Sequence, residues 1–347
     1  MRLDYLDFLR CVAAIAVFAQ HLLERADPAR FRPFLELGPG IFGVALFFLI
    51  SGFVIPHSVR RGFAPADFAV RRLFRVFPAY LTVLAAVVAL GALGLQPWRG
   101  TLVADGPAGF VANLALVQEY TGHAALLGVS WTLSLEFVWY GIFALVMLTG
   151  GERHAFALTL AASAALVALS LVALLLDGRP PLGRFAMLGA AALGYAAFVA
   201  ADGRLSRRRL WIAFAAFALA VGVSQVVAFG YFSHPKVTLF NGLCGWLGAV
   251  AVFWAFQRSA ALREARLCRH PLARTFGRIS YSVYLTHGPV ILIWGAAFGG
   301  MLLLGAPMVT FALSLALFAF VERPGIAAGR RVAGWLARPG AVTEVRR

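Results

Sequence analysis

Ten long apolar runs follow one another along the chain, and they restrict it to folds that are stable in a lipid bilayer. Of its 347 residues, 61% are hydrophobic and only 13% are charged, whereas a soluble domain carries about 25% charged residues. A helix needs about 20 mostly apolar residues to cross a bilayer, where only helices and closed barrels satisfy their backbone. The sequence therefore predicts an all-α, polytopic membrane protein with about ten transmembrane helices. The predicted spans are residues 9–23, 39–55, 77–95, 127–148, 155–176, 185–201, 210–229, 239–256, 279–298 and 308–321.

The basic residues predict the orientation of these spans. If the N-terminus is placed inside and the sides alternate, 23 of the 31 lysines and arginines lie in inside segments and seven in outside segments, with Arg10 inside the first span. Such an excess is typical of cytoplasmic loops. An even number of spans then puts both termini in the cytoplasm, and the expected location is the inner membrane of a bacterium.

The same clustering argues against a nucleic-acid partner, although the formal net charge is +16. The arginines stand between apolar runs, where the positive-inside rule places them. Three cysteines, Cys11, Cys244 and Cys268, show neither a disulfide framework nor the spacing of metal ligands. The first apolar run follows a polar, charged start and has no small-residue cleavage pattern, so we expect it to stay as a span.

We expect a single transmembrane domain at residues 1–325 and a short basic cytoplasmic tail at 326–347. The chain after Glu322 contains several prolines and glycines, which predicts poor order there. Residues 109–119 are too short and too polar to span, because they include Asn113, Gln118 and Glu119. This segment is predicted to be a re-entrant or interfacial helix on the outer side.

The first span carries two ionisable side chains, Arg10 and His21. They are eleven residues apart, which on a helix puts them about 20° from the same face and about 16 Å apart along the axis. Ionisable residues inside a span are costly and are functional candidates. Histidine titrates near neutral pH and is a natural general base at an enclosed site. The alternative is a snorkelling arginine and an interfacial histidine.

Two later spans also contain polar groups among apolar neighbours. Glu136 is a lone carboxylate in the fourth span, and a buried carboxylate needs a partner such as His21 or an arginine. Tyr281, Tyr284 and His287 are spaced three residues apart along one side of the ninth span, which suits a polar cavity. A structural ion pair for Glu136 and an interfacial position for the tyrosines are the alternatives.

Three arginines, Arg71, Arg72 and Arg75, open the third span on the predicted cytoplasmic side. Arg72 and Arg75 share a helix face, and each guanidinium can bind phosphate oxygens bidentately. They therefore form a candidate anion clamp. Positive-inside bias alone is the other explanation.

Five sequence elements occur in order on predicted spans or span junctions. They are an arginine and a histidine separated by ten residues (Arg10, His21), a Phe-Phe-x-x-Ser-Gly element (Phe47, Phe48, Ser51, Gly52), an Arg-x-x-Arg element with a following Pro and Tyr (Arg72, Arg75, Pro78, Tyr80), a tryptophan-to-glutamate segment (Trp131, Ser134, Glu136, Tyr140) and the late segment of residues 280–290. A closing Glu322-Arg-Pro follows. Together they resemble the acyltransferase-3 family of integral membrane acyltransferases, over nearly the whole chain. Thr132 departs from the family, in which serine is common, and no appended esterase-like domain is expected.

The resemblance implies transfer of an acyl group, most simply acetyl, from cytoplasmic acyl-coenzyme A to a hydroxyl group of a cell-surface or exported carbohydrate. No permanently bound cofactor is expected. The donor's phosphates would meet Arg72 and Arg75, with Arg71 and Arg10 nearby, while the pantetheine arm rises beside the first span. His21 would take the acceptor proton, and Glu136 would orient or charge-balance the imidazole.

The remaining candidates would contact the oxyanion or the substrate; they are Ser51, Trp131, Tyr281, Tyr284 and His287.

Other functions stay open at this point. Another acyl group such as succinyl, an amine, small-metabolite or lipid acceptor, and a covalent acyl-histidine all fit the same residues. A transporter or flippase would also place charges inside spans, although the two halves of the sequence show no repeat. A purely structural or sensor role would leave costly polar groups without use.

Overall fold

The computed structural model describes residues 3–60, 62–94, 98–232, 234 and 237–336, and within them every regular element is helical. Four short segments depart from α-helical geometry: Gly151–His154 and Gly299–Met301 are 3₁₀ turns, and Val226–Tyr231 and Phe318–Glu322 are π-helical turns. The α-helices are α1 (Asp4–Ala26), α2 (Arg32–Leu35), α3 (Pro39–His57), α4 (Pro65–Ala92), α5 (Trp98–Leu114), α6 (Gln118–Thr121), α7 (Ser130–Thr149), α8 (Ala155–Leu175), α9 (Leu182–Ala201), α10 (Arg207–Gln225), α11 (Leu239–Arg258), α12 (Ala260–Glu264), α13 (Arg266–Arg269), α14 (Pro271–Phe298), α15 (Leu302–Leu317) and α16 (Arg323–Leu336).

The predicted spans coincide with long helices. Nine helical segments of the described chain are long and apolar enough to cross a bilayer, and the last of them, Pro271–Leu336, contains two predicted spans. These two are joined without a loop, because α14, α15 and α16 follow one another through short 3₁₀ and π turns. The prediction of an all-α, multi-pass membrane protein is confirmed.

The side on which the termini lie remains a prediction. Part of the predicted pattern falls outside the described residues: Arg2, Arg61, Leu95, Lys236 and the arginines after residue 336.

Contacts divide the chain into two compact units, and each is built from two stretches of sequence. The first unit comprises Met1–Ser58 and Val138–Ser280, and the second comprises Val59–Phe137 and Tyr281–Arg347. Both α7 and α14 therefore pass from one unit into the other along a continuous helix. The expected division into one domain and a tail is left untested by this grouping.

In the first unit, α3 packs against α9 at backbone contact. A Cβ atom on Gly52 would overlap the carbonyl oxygen of Ala191, and a Cβ on Gly194 would overlap that of Leu49. In a bilayer, lipid tails are as apolar as side chains, so helices associate through close packing at small residues. This contact explains the glycine of the Phe-Phe-x-x-Ser-Gly element: only glycine permits α3 to approach α9 so closely.

The start of α1 is fixed to the first turns of α14 in the same unit. The guanidinium of Arg274 donates to Asp4 at 2.5 Å, and Tyr5 stacks on Phe256 of α11 with ring centroids 6.2 Å apart. These contacts hold the end of α1 that carries Arg10.

In the second unit, α16 packs against the first half of α4. Gly325 lies over Pro78 and the carbonyl of Phe74, where a Cβ would stand 2.9 Å from the proline ring, and Gly329 lies against the Phe74 side chain. The expectation of a poorly ordered tail was wrong for residues 323–336, because these small residues let a regular helix dock on α4. Residues 337–347 of the predicted tail lie outside the described residues.

Residues 109–119, predicted as a re-entrant or interfacial helix, form the end of α5 and the beginning of α6. Between the two helices the backbone turns at Leu116, which has a φ of 58°. Buried Asn113 closes this turn: its amide donates to the carbonyls of Gly109 and Ala124, each at 2.9 Å, and its oxygen accepts from the N–H of Leu126 at 3.0 Å. The helical part of the prediction is confirmed, and its sidedness stays a prediction.

Replacing Gly52 with leucine should unfold or loosen the first unit. The side chain would have to displace backbone of α9, and overpacking a tight core typically costs about 1–3 kcal/mol. The measurement is the thermal unfolding midpoint of the purified protein in detergent. Gly222→Ala on α10 is the matched control, since a Cβ there meets no atom within 4 Å. Equal midpoints for both variants would contradict the close contact.

Candidate active site

The first group of candidate residues lies on α1, which runs unbroken from Asp4 to Ala26. The predicted phase and rise between Arg10 and His21 therefore hold. Arg10 Nη1 stands 3.7 Å from Asp7 Oδ1, and that carboxylate is nearly buried, with 9% of its side chain exposed. Arg10 thus has its own counter-ion one turn away on the same helix.

His21 lies near the other end of α1, with 48% of its side chain exposed in the absence of lipid. Its Nδ1 is 3.5 Å from Oε2 of Glu24, and the other oxygen of Glu24, Oε1, accepts a hydrogen bond from the Gln20 amide. The backbone N–H of Gly40, at the start of α3, donates to the Gln20 amide oxygen at 3.3 Å. The carboxylate that the structure places beside His21 is therefore Glu24, and the predicted pairing with Glu136 stays a prediction.

Ser51 lies on α3 in the first unit and is half-buried. Its position follows from its neighbour Gly52, which forces the close α3–α9 contact described above. The oxyanion role predicted for Ser51 is not tested by this placement.

The second unit brings together three of the predicted residues, Glu136, Tyr284 and His287. The Tyr284 hydroxyl is hydrogen-bonded to Thr132 Oγ1 at 2.8 Å in a buried setting. Glu136 follows Thr132 by four residues on α7, so the two side chains share one face of that helix. The rings of Tyr284 and His287 are 5.8 Å apart between centroids. These four residues are called the α7–α14 cluster below.

The tautomer of His287 follows from its backbone contact. Nδ1 lies 3.1 Å from the carbonyl oxygen of Val283, which can only accept a hydrogen bond. In the neutral ring the proton is therefore on Nδ1, and Nε2 is the basic nitrogen. The α7–α14 cluster thus combines two hydroxyl groups and an imidazole that are buried with a half-buried carboxylate, which suits recognition of a hydroxyl group.

Helix α6 and the turn that precedes it hold α7 in place. Buried Gln118 donates to Ser130 Oγ at 2.9 Å, and Ser134 Oγ donates to the carbonyl of Leu116 at 2.7 Å. Ser130 and Ser134 are four residues apart and share one face of α7, whereas Thr132 and Glu136 share another. Trp131, at the start of α7, is half-buried, and its predicted substrate contact stays a prediction.

The arginines of α4 have carboxylate and aromatic neighbours within the second unit. Arg71 Nε lies 2.8 Å from Asp67 Oδ2. The Arg72 guanidinium carbon stands 5.3 Å from the centroid of the Phe68 ring. Arg75 Nη1 lies 3.3 Å from Glu322 Oε1. Phosphate binding by these arginines is untested, and the Arg75 contact shows that one member of the predicted clamp also has a structural partner.

Glu322 is a buried carboxylate whose role sequence reasoning did not assign. Its side chain is fully buried, and Ser282 Oγ donates to its second oxygen at 2.7 Å. One turn away on α14, Thr286 is hydrogen-bonded to Ser314 of α15 at 2.9 Å. Nearby, the Tyr281 hydroxyl donates to the carbonyl of Val76 on α4 at 2.8 Å. Only the closing Glu-Arg-Pro motif signalled Glu322, and nothing in the sequence identified the serine and threonine partners.

The predicted site residues are divided between the two units. Arg10, His21 and Ser51 belong to the first unit, and the other predicted site residues belong to the second. Among the described residues, no three His, Cys, Asp or Glu side chains are grouped so that they could hold a metal ion.

These spans and motifs define a class of protein, and comparison with known sequences agrees. The chain belongs to the acyltransferase-3 family: the family's profile, described as an acyltransferase domain, matches residues 3–321. The resemblance inferred from the five motifs is thereby confirmed. The chain is accordingly a multi-pass membrane protein of an acyltransferase family.

Three relatives illustrate the match. The chain is 35% identical to acyltransferase MdmB of Streptomyces mycarofaciens over 154 residues, 42% of this chain and 39% of that protein. It is 29% identical to the putative membrane-bound transacylase BcsY of Komagataeibacter xylinus over 313 residues, 83% of this chain and 76% of that protein. It is 32% identical to nodulation protein 10 of Rhizobium leguminosarum bv. viciae over 151 residues, 39% of this chain and 41% of that protein.

Two of these matches thus span about two fifths of the relative's length. No solved structure matches the chain. The family and its named acyltransferases support a transferase reaction, while the donor and the acceptor are matters for proposal.

Replacing Arg75 with glutamine should destabilise the second unit. Glu322 would keep its charge in a buried site with one partner fewer, and breaking a buried ion pair costs about 3–5 kcal/mol. Arg75 is 37% exposed, so we expect a value below that range. The measurement is the unfolding midpoint in detergent, and the double variant Arg75→Gln, Glu322→Gln should recover part of the loss because it removes the buried charge. If the double variant loses as much stability as the two single variants together, the pairing of Arg75 with Glu322 is contradicted.

Proposed function

We propose that the protein transfers an acyl group, acetyl in the simplest case, from acyl-coenzyme A on the cytoplasmic side to a hydroxyl group of a cell-surface or exported carbohydrate. The observation that carries the proposal is the unbroken α1, which holds Arg10 and His21 on one face about 16 Å apart. That separation suits acyl-coenzyme A, because its charged phosphates can stay at the cytoplasmic surface near Arg10 while its thioester extends into the membrane toward His21.

The donor's phosphates would be bound by Arg72 and Arg75 on α4. Arg75 is 37% exposed, and a guanidinium has five N–H donors in a planar fork, so different nitrogens can contact Glu322, at 3.3 Å, and a phosphate. Glu322 would then act as a positioning residue for Arg75. Arg71, held by Asp67, adds positive charge to the same helix.

The reaction would be a direct transfer assisted by His21. The acceptor oxygen attacks the thioester carbonyl carbon while His21 takes the hydroxyl proton. The carbon–sulfur bond then breaks, the new ester remains on the carbohydrate, and the proton passes from His21 to the departing thiolate. Glu24, 3.5 Å from His21 Nδ1, would stabilise the transient imidazolium.

The α7–α14 cluster would serve the acceptor. Thr132 Oγ1 donates to the carbonyl of Val129 at 2.9 Å, so the Tyr284 hydroxyl donates to Thr132 at 2.8 Å, and the Tyr284 oxygen can accept a hydrogen bond from an acceptor hydroxyl. Glu136, which the sequence suggested as a partner for His21, would accept a hydrogen bond from an acceptor hydroxyl in this setting. The proposal thus covers the acyl-coenzyme A donor, the acetyl group and the carbohydrate acceptor.

Replacing His21 with alanine should lower acyl transfer by about 10²–10⁴-fold, the usual contribution of a general base. The assay is release of free coenzyme A from labelled acetyl-coenzyme A, dependent on an added glycan extract, by protein reconstituted in lipid. His154→Asn is the matched control, because His154 is a histidine of the short turn before α8 and has no proposed role. Wild-type turnover by the alanine variant would refute the base, and absence of acceptor-dependent release by the wild type would favour a transporter.

Replacing Arg72 with glutamine should raise the KM for acetyl-coenzyme A by about 10–100-fold, because a hydrogen bond to a charged group contributes about 1.5–3 kcal/mol. The matched control is Arg208→Gln, which removes an exposed arginine of α10. Steady-state kinetics at varied donor concentration make the test. If the donor KM stays at the wild-type value, the arginines of α4 act in topology and packing alone.

A further inference from the structure

The exposed side of α16 is a basic surface that the proposed reaction does not use. Arg323, Arg330 and Arg331 are exposed, and α16 contains no acidic residue. None of the three has a hydrogen bond or a carboxylate partner within the part of the chain that the structure describes. Several other arginines do have one, including Arg71 with Asp67 and Arg274 with Asp4.

The opposite side of α16 is already occupied by α4. Gly325, Gly329 and Ala333 follow one another at intervals of four residues and are buried in this contact. On a helix the three arginines lie about 100–160° away from the centre of this seam. The docking on α4 therefore fixes the rotation of α16 and turns its arginines outward together.

The position of α16 along the chain places it at the edge of the bilayer. It begins at Arg323, directly after the π turn Phe318–Glu322, and Phe320 in that turn is 80% exposed, as expected of a lipid-facing side chain. Arg330 stands about 10 Å further along the helix. The polar region of each leaflet is about 5–8 Å deep, and an arginine stem can reach back toward it.

An aromatic side chain stands beside the arginines on the same helix. Trp335 is 51% exposed and lies about 40° from Arg331 around the helix. Tryptophan and basic residues together are typical of helices at a membrane interface. A soluble phosphate ligand would satisfy the arginines but would leave this exposed indole in water.

We propose that the exposed face of α16 docks on the anionic surface of the bilayer, with Arg323, Arg330 and Arg331 bound to lipid phosphate groups. The docked helix would hold the first half of α4, and with it the arginines at the start of that helix, at a fixed depth relative to the headgroups. Each basic residue near an anionic leaflet strengthens binding to that leaflet by about fivefold in the equilibrium constant.

The test uses the full-length protein with a spin label on α16. Gly334 lies on the arginine side, and a Cβ there meets no atom within 4 Å, so Gly334→Cys accepts a label without disturbing the contact with α4. Cys11 and Cys268 are buried, and half-buried Cys244 is first replaced by alanine. The protein is reconstituted in nanodiscs of phosphatidylcholine alone or with phosphatidylglycerol, and the label's collisions with a water-soluble nickel chelate and with oxygen are measured.

We expect phosphatidylglycerol to reduce nickel accessibility and raise oxygen accessibility at position 334. The double variant Arg330→Gln, Arg331→Gln should weaken this response by about fivefold per arginine, whereas Arg208→Gln on α10 should retain it. Equal accessibility in both lipid compositions would overturn the proposal. A fall in nickel accessibility caused by coenzyme A in pure phosphatidylcholine, with no effect of phosphatidylglycerol, would also overturn it and assign the face to the donor.

Discussion

The absence of water from the hydrocarbon core governs this structure, because every polar group placed there needs a partner from the protein. Isolated hydroxyl groups meet this demand locally: Ser163 donates to the carbonyl of Thr159, and Ser170 donates to that of Leu166, each at 2.8 Å. A carboxylate cannot be satisfied by its own helix in this way, since backbone carbonyls only accept. Glu322 accordingly recruits Ser282 and Arg75 from two other helices.

The same environment changes how the helices recognise one another. Lipid competes with apolar side chains on equal terms, so contact depends on how closely two backbones can approach. Glycine supplies that approach between α3 and α9 and again between α4 and α16. Positions that look unimportant in a hydropathy profile therefore decide which helices become neighbours, and through them which polar side chains meet.

The polar contacts of the structure are of two kinds. On α1, Arg10 and His21 each have a carboxylate three residues away on the same helix, Asp7 and Glu24. Other contacts join residues far apart in sequence, such as Thr132 with Tyr284 and Arg75 with Glu322. Local pairs set the charge and orientation of a side chain, whereas distant pairs also hold helices together, so substitutions in distant pairs will combine functional and structural effects.

The sequence by itself determined the class of the protein, its spans, and the shared face of Arg10 and His21. Hydropathy and helical phase are local properties, so they can be read from neighbouring residues without knowing the fold. Only the tertiary structure decided that Thr132 holds Tyr284 and that the residues after Glu322 form a helix against α4. Those outcomes depend on which helices pack and in what rotation, and glycine seams between distant segments set both.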